Sequence, residues 1–274
     1  MSEAAAVDRT PEPITVSTLS ADLLRLGVEP GMTVMVHTSL SAIGWVVGGA
    51  HAVVDALLTV LTDAGTLVMP THSAGCSDPA SWENPPIPPS WWPTVRAEMP
   101  AYDPMRTPTL GMGAVVECFR HTPGVRRSAH PTVSAAAHGP DAARIVDGHT
   151  FEAGMGEGSP LSRLYDLDAH VLLLGVSHSN NTSLHLSEHR AAPADAPTAT
   201  YSSPMIVDGV RRWVTHTNLL DDESDFDEIG AAFAQAGEER VGTVGLATAR
   251  LMSARAIVDF GAEWMRTNRA WQPS

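Results

Sequence analysis

Short apolar runs and segments with helical spacing of apolar residues follow one another along the N-terminal part of the chain. Strands are predicted where β-branched and aliphatic residues run together, at Thr33–His37 and Thr66–Met69. Helices are predicted at Ser17–Leu26, which Gly27 ends, and at Ala52–Leu61. The order strand, loop, helix, strand is typical of a right-handed βαβ unit with parallel strands.

The pattern further along the chain predicts both strands and helices. Asp208-Gly209 between two alternating runs is a strong hairpin signal. In chain order, the predicted elements are a helix at Gly113–His121, a strand at Pro131–Ala137, a helical turn at Ala142–Val146, a strand at Val171–Leu174, hairpin strands at Thr198–Val207 and Val210–Thr217, a helix at Asp225–Gln235, an edge strand at Val241–Val244 and a terminal helix at Ala247–Thr267.

These elements together predict an α/β protein. We expect three α/β/α layers with a mixed central sheet, in which an antiparallel hairpin is added to the parallel N-terminal part. Residues 1–13 are expected to be a flexible N-terminal lead, and residues 14–274 to form a single domain. Within that domain, residues 71–108 contain nine prolines and three tryptophans. We expect this segment to be a lid or binding loop, because three tryptophans would not stay in water.

Composition narrows the classes of function. The chain has 17 basic and 31 acidic residues, and every basic residue is arginine. Without lysine, Schiff-base chemistry and a Walker P-loop cannot operate. The formal charge of −14 disfavours nucleic acid as a partner and attracts a cationic small molecule. Two cysteines exclude a disulfide framework. The N-terminus lacks a signal-peptide pattern and no long apolar run occurs, so we expect a cytoplasmic protein with no membrane partner.

The candidate chemistry is concentrated after the apolar strand Val171–Leu174. Asn181 is a plausible helix N-cap, and His185 and Glu188 follow it along one helix face. His185-Leu186-Ser187-Glu188-His189 matches the H-x-x-E-H pattern of inverted zinc peptidases. In a zinc-dependent hydrolase the two histidines would bind zinc and Glu188 would be the general base, with Glu263 as a third ligand.

A second interpretation of the same helix uses His185 without a metal. The helix N-terminus disfavours imidazolium, whereas the neighbouring Glu188 favours it. We therefore expect His185 to titrate near neutrality and to act as a general base on a nucleophile. A helix whose histidine and glutamate simply face solvent is the alternative without function.

Five sequence blocks follow one another in a characteristic order. They are VHTSLSAIGWVVGG at Val36–Gly49, GTLVMPTHS at Gly65–Ser73, RRSAHPTVSAAAHG at Arg126–Gly139, GSPLSRL at Gly158–Leu164 and VLLLGVSHSNNTSLHLSEHRA at Val171–Ala191. Together these blocks resemble the aminoglycoside 3-N-acetyltransferase family. The resemblance implies an α/β/α fold distinct from the common GNAT acetyltransferases, and transfer of an acetyl group from acetyl-CoA, without a metal, to the 3-amino group of a deoxystreptamine aminoglycoside, which confers antibiotic resistance.

An acetyl-CoA site is expected in two of these blocks. The loop after the first strand can bind a pyrophosphate through backbone N–H groups and hydroxyls. Arginines are the remaining candidates for charged phosphate contacts. The predicted acetyl-CoA contacts are His37, Thr38, Ser39, Leu40, Gly44, Arg126, Arg127 and Ser128. An ordinary helix cap and a solvated arginine pair are the alternatives.

The expected mechanism is direct transfer without a covalent enzyme intermediate. His185, oriented by Glu188 and Asn181, would take the proton from the attacking amine. Thr38 and Ser39 or backbone N–H groups would stabilise the oxyanion. His130 in the SAHP sequence is a second candidate base.

Carboxylates are expected to bind the cationic aminoglycoside. The candidates are Asp103, Glu157, Asp221, Asp222 and Asp225. The Pro/Trp-rich loop and the region after Gly209 are expected to form the antibiotic pocket. Acetylation of another amine, and sequestration of cations by a protein that is not an enzyme, are the alternative functions. The sequence is compatible with a monomer and with a homodimer.

Overall fold

The computed structural model describes residues 3–271, and its centre is a seven-stranded mixed sheet. The strands are β1 (Thr33–Thr38), β2 (Thr66–Pro70), β3 (Arg126–Arg127), β4 (Ala135–His138), β5 (His170–Leu174), β6 (Thr198–Val207), β7 (Val210–Leu219), β8 (Glu239–Val244) and β9 (Ala247–Ser253). The order across the central sheet is β3-β4-β2-β1-β5-β9-β8. β1 pairs in parallel with β2 and β5, and the outer pairings are antiparallel.

Helices cover both faces of this sheet. They are α1 (Glu3–Arg9), α2 (Val16–Leu26), α3 (Leu40–Ile43), α4 (Gly49–Leu61), α5 (Trp92–Glu98), α6 (Gly113–Arg120), α7 (Ala142–Val146), α8 (Pro160–Asp166), α9 (Ser183–Ala191), α10 (Phe226–Gln235) and α11 (Ala254–Asn268). α2, α4 and α6 pack on one face and α7 to α11 on the other, each over its own apolar core. The predicted three-layer α/β/α class is confirmed.

The central strands are apolar on both faces, which explains their position. In β5, Leu172 and Leu174 pack into one core, while Val171 and Leu173 pack into the other. All four side chains are at most 1% exposed. Fully burying one such side chain contributes roughly 1.5–3 kcal/mol. A strand that is buried on both faces shows a continuous apolar run, and this is the pattern that predicts β5 correctly.

Two predictions about the sheet need correction. The hairpin around Asp208-Gly209 does form, but β6 and β7 make a separate two-stranded sheet. The antiparallel hairpin in the central sheet is β8–β9. The predicted helix at Ala247–Thr267 is wrong at its start, because β9 occupies its first seven residues and pairs with β5. The helix begins at Ala254, where the Ser253 hydroxyl caps it by accepting from Ala256 N–H at 3.2 Å.

The N-terminal segment and the Pro/Trp-rich segment both contain regular structure. Helix α1 lies within the expected flexible lead. The 71–108 segment contains α5 and three short 3-10 turns. The Arg96–Asp78 ion pair at 2.7 Å and a hydrogen bond from Arg211 to Met99 O at 2.7 Å tie it to itself and to β7. Trp91 is 58% exposed, so the expectation that all three tryptophans leave water is wrong.

Two further expectations concern how the chain is organised as a whole. A single domain and a lid movement of the 71–108 segment stay predictions. No helix in residues 3–271 is long and apolar enough to cross a membrane.

Candidate active site

The site lies where three parallel strands end. β1, β2 and β5 run in the same direction, so their carboxyl ends meet at one edge of the sheet. His37 near the end of β1, His72 just after β2, and His185 on the helix that follows β5 are close enough to influence one another electrostatically. Burial, reinforced by neighbouring histidines, lowers the pKa of His37 to about 3 and that of His72 to about 4. Both imidazoles are therefore neutral at physiological pH.

His185 and Glu188 form a buried pair on α9. Nδ1 of His185 lies 2.5 Å from Oε2 of Glu188, which is fully buried. The edge of Phe226 packs against the imidazole, with ring centroids 4.9 Å apart. Among the described residues, Nε2 of His185 has no hydrogen-bond partner. This nitrogen can accept a proton from a molecule bound at the sheet edge.

The environment of His185 sets its proton affinity. Burial acts to lower its pKa, but the hydrogen bond and charge of Glu188 outweigh burial, with further contributions from Asp221 and Glu223. The pKa of His185 is consequently raised above its ordinary value. Only the neutral imidazole can accept a proton. His185 can therefore act as a base only once the pH has risen through its raised pKa.

The other oxygen of Glu188 is also fully engaged. Oε1 accepts a hydrogen bond from the guanidinium of Arg269 and another from Asp222 N–H at 2.9 Å. Arg269 follows α11 and also pairs with Asp225. A buried carboxylate needs such partners to offset its desolvation.

Asn181 does not hydrogen-bond to His185. Its Oδ1 accepts from Ser183 N–H at 3.2 Å, as a residue before a helix does, and the N-cap position itself is Thr182. Its side-chain N–H group has no hydrogen-bond partner among residues 3–271, although Asn181 is completely buried. The role of orienting His185 therefore falls to Glu188, and Asn181 presents an unused donor.

Several other buried polar atoms near the site have no hydrogen-bond partner within the described part of the chain. They are Nε2 of His37, Oγ1 of Thr38 and Oδ1 of Asp221. Buried polar groups in folded proteins are almost always hydrogen-bonded. A concentration of exceptions at the end of parallel strands therefore indicates a place where a ligand supplies the missing partners.

Only some of the predicted zinc ligands lie close together. His185, Glu188 and Asp221 have ligand atoms within 4.8 Å of one another. However, Glu188 already holds an imidazole and a guanidinium, and a cation next to a guanidinium is repelled. His189 packs against Gly156 and lies 3.7 Å from Asp221 rather than beside Glu188. Glu263 is exposed and pairs with Arg266, so the predicted H-x-x-E-H zinc geometry is not formed.

The loop after β1 borders a cavity of about 520 Å³. Leu40 and Gly44 line it, together with the first residue of α4, Gly49, whose helix has no side-chain N-cap. Ser39 precedes α3, and its hydroxyl lies 3.2 Å from that of Ser41. The Gly49 N–H donates to Val46 O at 2.9 Å, and the N–H groups that follow it in the first turn of α4, together with nearby hydroxyls, are suited to an anionic group.

Arg126, Arg127 and Ser128, which were predicted to contact acetyl-CoA, make hydrogen bonds within the protein. Arg126 pairs with Asp147 at 2.8 Å. Arg127 donates to backbone oxygens of Thr71 and Thr107, each at 2.6 Å. The Ser128 hydroxyl lies between His149 Nδ1 and Ala135 N–H, 3.0 Å from each. These contacts connect β3 to the strand end and to the Pro/Trp-rich segment, and they leave little capacity for phosphate binding.

His130 is likewise occupied on both ring nitrogens. Nδ1 accepts from Val133 N–H at 3.1 Å, and Nε2 lies 3.2 Å from Phe151 O. The ring stacks on His149 with centroids 4.7 Å apart. Burial lowers the pKa of His130 to about 3. His130 fixes the turn before β4 and is not positioned as a base.

The carboxylates that were predicted to bind the aminoglycoside lie in different parts of the structure. Asp221 and Asp222 lie at the site and line a cavity of about 360 Å³ with Arg269 and Trp271. Glu157 pairs with Arg190 at 2.8 Å. Asp103 accepts from Met105 N–H at 2.9 Å and lines a different cavity, of about 800 Å³. Asp225 is taken by Arg269.

Sequence reasoning missed three residues of the site. His72 is the second-to-last residue of the GTLVMPTHS block, and its place three residues after a predicted strand was a usable signal. Tyr201 on β6 contacts the same region, where burial and then Asp221 raise its pKa to about 12. Arg269 gives no local signal, because its partners Glu188 and Asp225 are distant in the chain.

An imidazole that is backed by a buried carboxylate and lies near His37 and Asp221 defines a site for removing a proton from a bound nucleophile. The aminoglycoside 3-N-acetyltransferase family model matches residues 35–266. The chain is 44% identical over 263 residues to the SPbeta prophage-derived aminoglycoside N(3')-acetyltransferase-like protein YokD of Bacillus subtilis, covering 96% of both chains. It is 37% identical to aminoglycoside N(3)-acetyltransferase VII of Streptomyces paromomycinus, covering 97% of this chain and 96% of that one. The chain belongs to the aminoglycoside 3-N-acetyltransferase family, whose members are acyltransferases.

Solved structures agree with this assignment. The crystal structure of YokD from Bacillus subtilis superposes with a TM-score of 0.95 at 43% identity, covering 98% of this chain and all of that one. AAC-IIIb, solved as a binary complex with CoASH, gives 0.83 at 29% identity and covers 96% and 100%. AAC-VIa bound to sisomicin gives 0.84 at 33% identity and covers 94% and 100%.

Proposed function

We propose that this protein transfers the acetyl group of acetyl-CoA to the 3-amino group of a 2-deoxystreptamine aminoglycoside and so confers resistance. The observation that carries the proposal is the buried His185–Glu188 pair, which lies near His37 and Asp221 at the sheet edge. A relative solved with CoASH and another solved with sisomicin support the two substrates.

The chemistry follows from the residues present. Nε2 of His185 takes a proton from the amine as the amine nitrogen attacks the thioester carbonyl carbon. The new C–N bond forms and the C–S bond breaks. The CoA sulfur leaves as a thiolate and takes the proton from the imidazolium of His185, which returns to its neutral form. Glu188 stabilises the imidazolium that is formed in the reaction.

The donor and oxyanion sites are assigned from the β1 edge. We place acetyl-CoA along His37–Leu40 and the cavity beside Gly44, where backbone N–H groups are available. The Thr38 hydroxyl and Asn181 side-chain N–H group have no protein partner and can donate to the developing oxyanion. Arg126, Arg127, Ser128 and His130 are left out because their polar groups are already engaged.

The proposal is tested by following thiol release from acetyl-CoA with a panel of aminoglycosides and simple polyamines. We expect release that depends on an aminoglycoside, is unaffected by a chelator, and yields a 3-N-acetyl product by mass spectrometry. Release only with another amine would identify a different acceptor. Chelator-sensitive peptide cleavage, or tight antibiotic binding without turnover, would overturn the proposal.

Asp221 is the carboxylate best placed to bind an ammonium group of the acceptor, since its buried Oδ1 accepts no hydrogen bond from residues 3–271 and lies 3.7 Å from Nε2 of His189. Replacing Asp221 with Asn is expected to raise KM for the aminoglycoside about tenfold, as expected when a charge-assisted contact of about 1.5 kcal/mol is lost. KM should also rise with ionic strength in the wild type, and less steeply in the variant. The matched control is Asp103→Asn, in the separate 800 Å³ cavity. Equal effects of the two substitutions would count against a specific role for Asp221.

A further inference from the structure

Arg269 connects the C-terminal end of α11 to the catalytic helix. Its side chain is 6% exposed. Nη1 donates to Oε1 of Glu188, while Nε and Nη2 grip both oxygens of Asp225, with Nε at 2.7 Å. Nη2 also donates to Asp222 O at 2.9 Å. Every nitrogen of the guanidinium is thus engaged by a protein acceptor, and its position is fixed by the fork on Asp225.

The two oxygens of Glu188 have partners of different chemistry. Oε2 faces Nδ1 of His185, while Oε1 accepts from the guanidinium of Arg269 and from Asp222 N–H. Imidazole, carboxylate and guanidinium therefore form one continuous line. Because Glu188 is removed from water, these three contacts together fix the rotation of its carboxylate.

We propose that Arg269 is a positioning residue for acetyl transfer, which acts by holding the Glu188 carboxylate against Nδ1 of His185. The inference rests on the proposed function for its catalytic consequence. Arg269 also balances part of the negative charge of Glu188. Without that balance the His185–Glu188 pair holds its proton more tightly, and less of the enzyme carries the neutral imidazole at a given pH.

Arg269 brings a positive charge to Glu188, and Arg127 brings one near His72. The groups that face His185 are carboxylates and neutral imidazoles from several elements: Glu188 on α9, Asp221 and Glu223 after β7, His37 on β1 and His72 after β2. Three of the five are acidic. Removing the guanidinium therefore leaves negative charge that favours imidazolium.

Replacing Arg269 with Gln is expected to move the acidic limb of the kcat/KM profile to higher pH by roughly one pH unit. At pH 7 kcat should fall about tenfold, while KM for the aminoglycoside changes less than about twofold. The matched control is Arg266→Gln, which removes an exposed arginine near the end of α11 and should leave the profile unchanged.

Arg269→Lys separates charge from geometry. It keeps the cation but cannot hold Glu188 and Asp225 together, so kcat should fall about fivefold with little movement of the acidic limb. This variant keeps the inference testable if Arg269→Gln does not fold, which thermal unfolding will show. The inference would be overturned if Arg269→Lys changed neither kcat nor the acidic limb of the kcat/KM profile. It would also be overturned if folded Arg269→Gln left that acidic limb unshifted.

An NMR titration of His185 does not depend on turnover. The imidazole of His185 should titrate at a higher pH in Arg269→Gln than in Arg266→Gln. If the wild type shows no acetyl transfer but this difference is present, the proposed function fails and the link from Arg269 to His185 stands. If transfer occurs but neither the titration nor the pH profile responds, the link fails and the proposed function stands.

Discussion

Replacing His185 with Ala is expected to lower kcat for acetyl transfer about 10²- to 10⁴-fold, with little change in acetyl-CoA binding. The free Nε2 is the proton acceptor in the proposed reaction, and alanine removes it without touching the loop after β1. The measurement is steady-state thiol release, together with acetyl-CoA affinity by calorimetry. Wild-type turnover in this variant would exclude His185 as the base.

His189→Gln on the same helix is the matched control. Its side chain packs near Gly156 and Asp221 and takes no part in the proposed reaction. We expect its rate to stay within about threefold of the wild type. A zinc site built on H-x-x-E-H would need both histidines, so equal losses in the two variants would favour the metal hypothesis.

Acidification is expected to destabilise the folded protein strongly between about pH 6.5 and pH 4. Burial lowers the pKa of His37 and His130 to about 3, and that of His72 and His149 to about 4. The unfolded chain takes up protons near pH 6.5, whereas the folded protein does not. These histidines therefore contribute stability above pH 6.5, and that stability is lost as the pH falls toward their folded pKa values.

The size of this effect follows from linkage. Each such histidine can lower the free energy of unfolding by at most about 2 kcal/mol between pH 6.5 and pH 5. His185 acts in the opposite direction: its raised pKa stabilises the protonated folded state, and that contribution is lost as the pH rises through the raised value. Four buried histidines lower the free energy of unfolding on acidification and His185 raises it, so the net loss of stability is several kcal/mol.

Urea unfolding at pH 7.5 and pH 5 measures the net effect. Proton NMR provides the control at the level of single residues, because the four imidazoles should stay neutral above pH 5. Equal free energies of unfolding at the two pH values would contradict the assignment of buried neutral histidines.

Local patterns were enough for most of the central fold. The apolar runs of β1, β2 and β5 and the helical spacing of α2 and α4 are properties of short segments, and each element formed where predicted. β9 was missed because Ala247–Ser253 also fits a helix. Pairing with β5 is what favours the strand over the helix for this segment.

The core of the candidate site was also local in origin. His185 and Glu188 are three residues apart, so any helix through them brings the side chains together. A strand before this helix placed the pair at the end of the sheet. The sequence by itself therefore determined the fold class and this pair.

Tertiary structure decided what surrounds the pair. Arg269 meets Glu188 from 81 residues away along the chain, and β1 and β2 place His37 and His72 opposite His185. Tertiary contacts also engaged Arg127 and His130, whose residue types suit catalysis and phosphate binding equally well. A residue type states which bonds a side chain can make, but only packing determines which partners lie within reach and whether water can replace them.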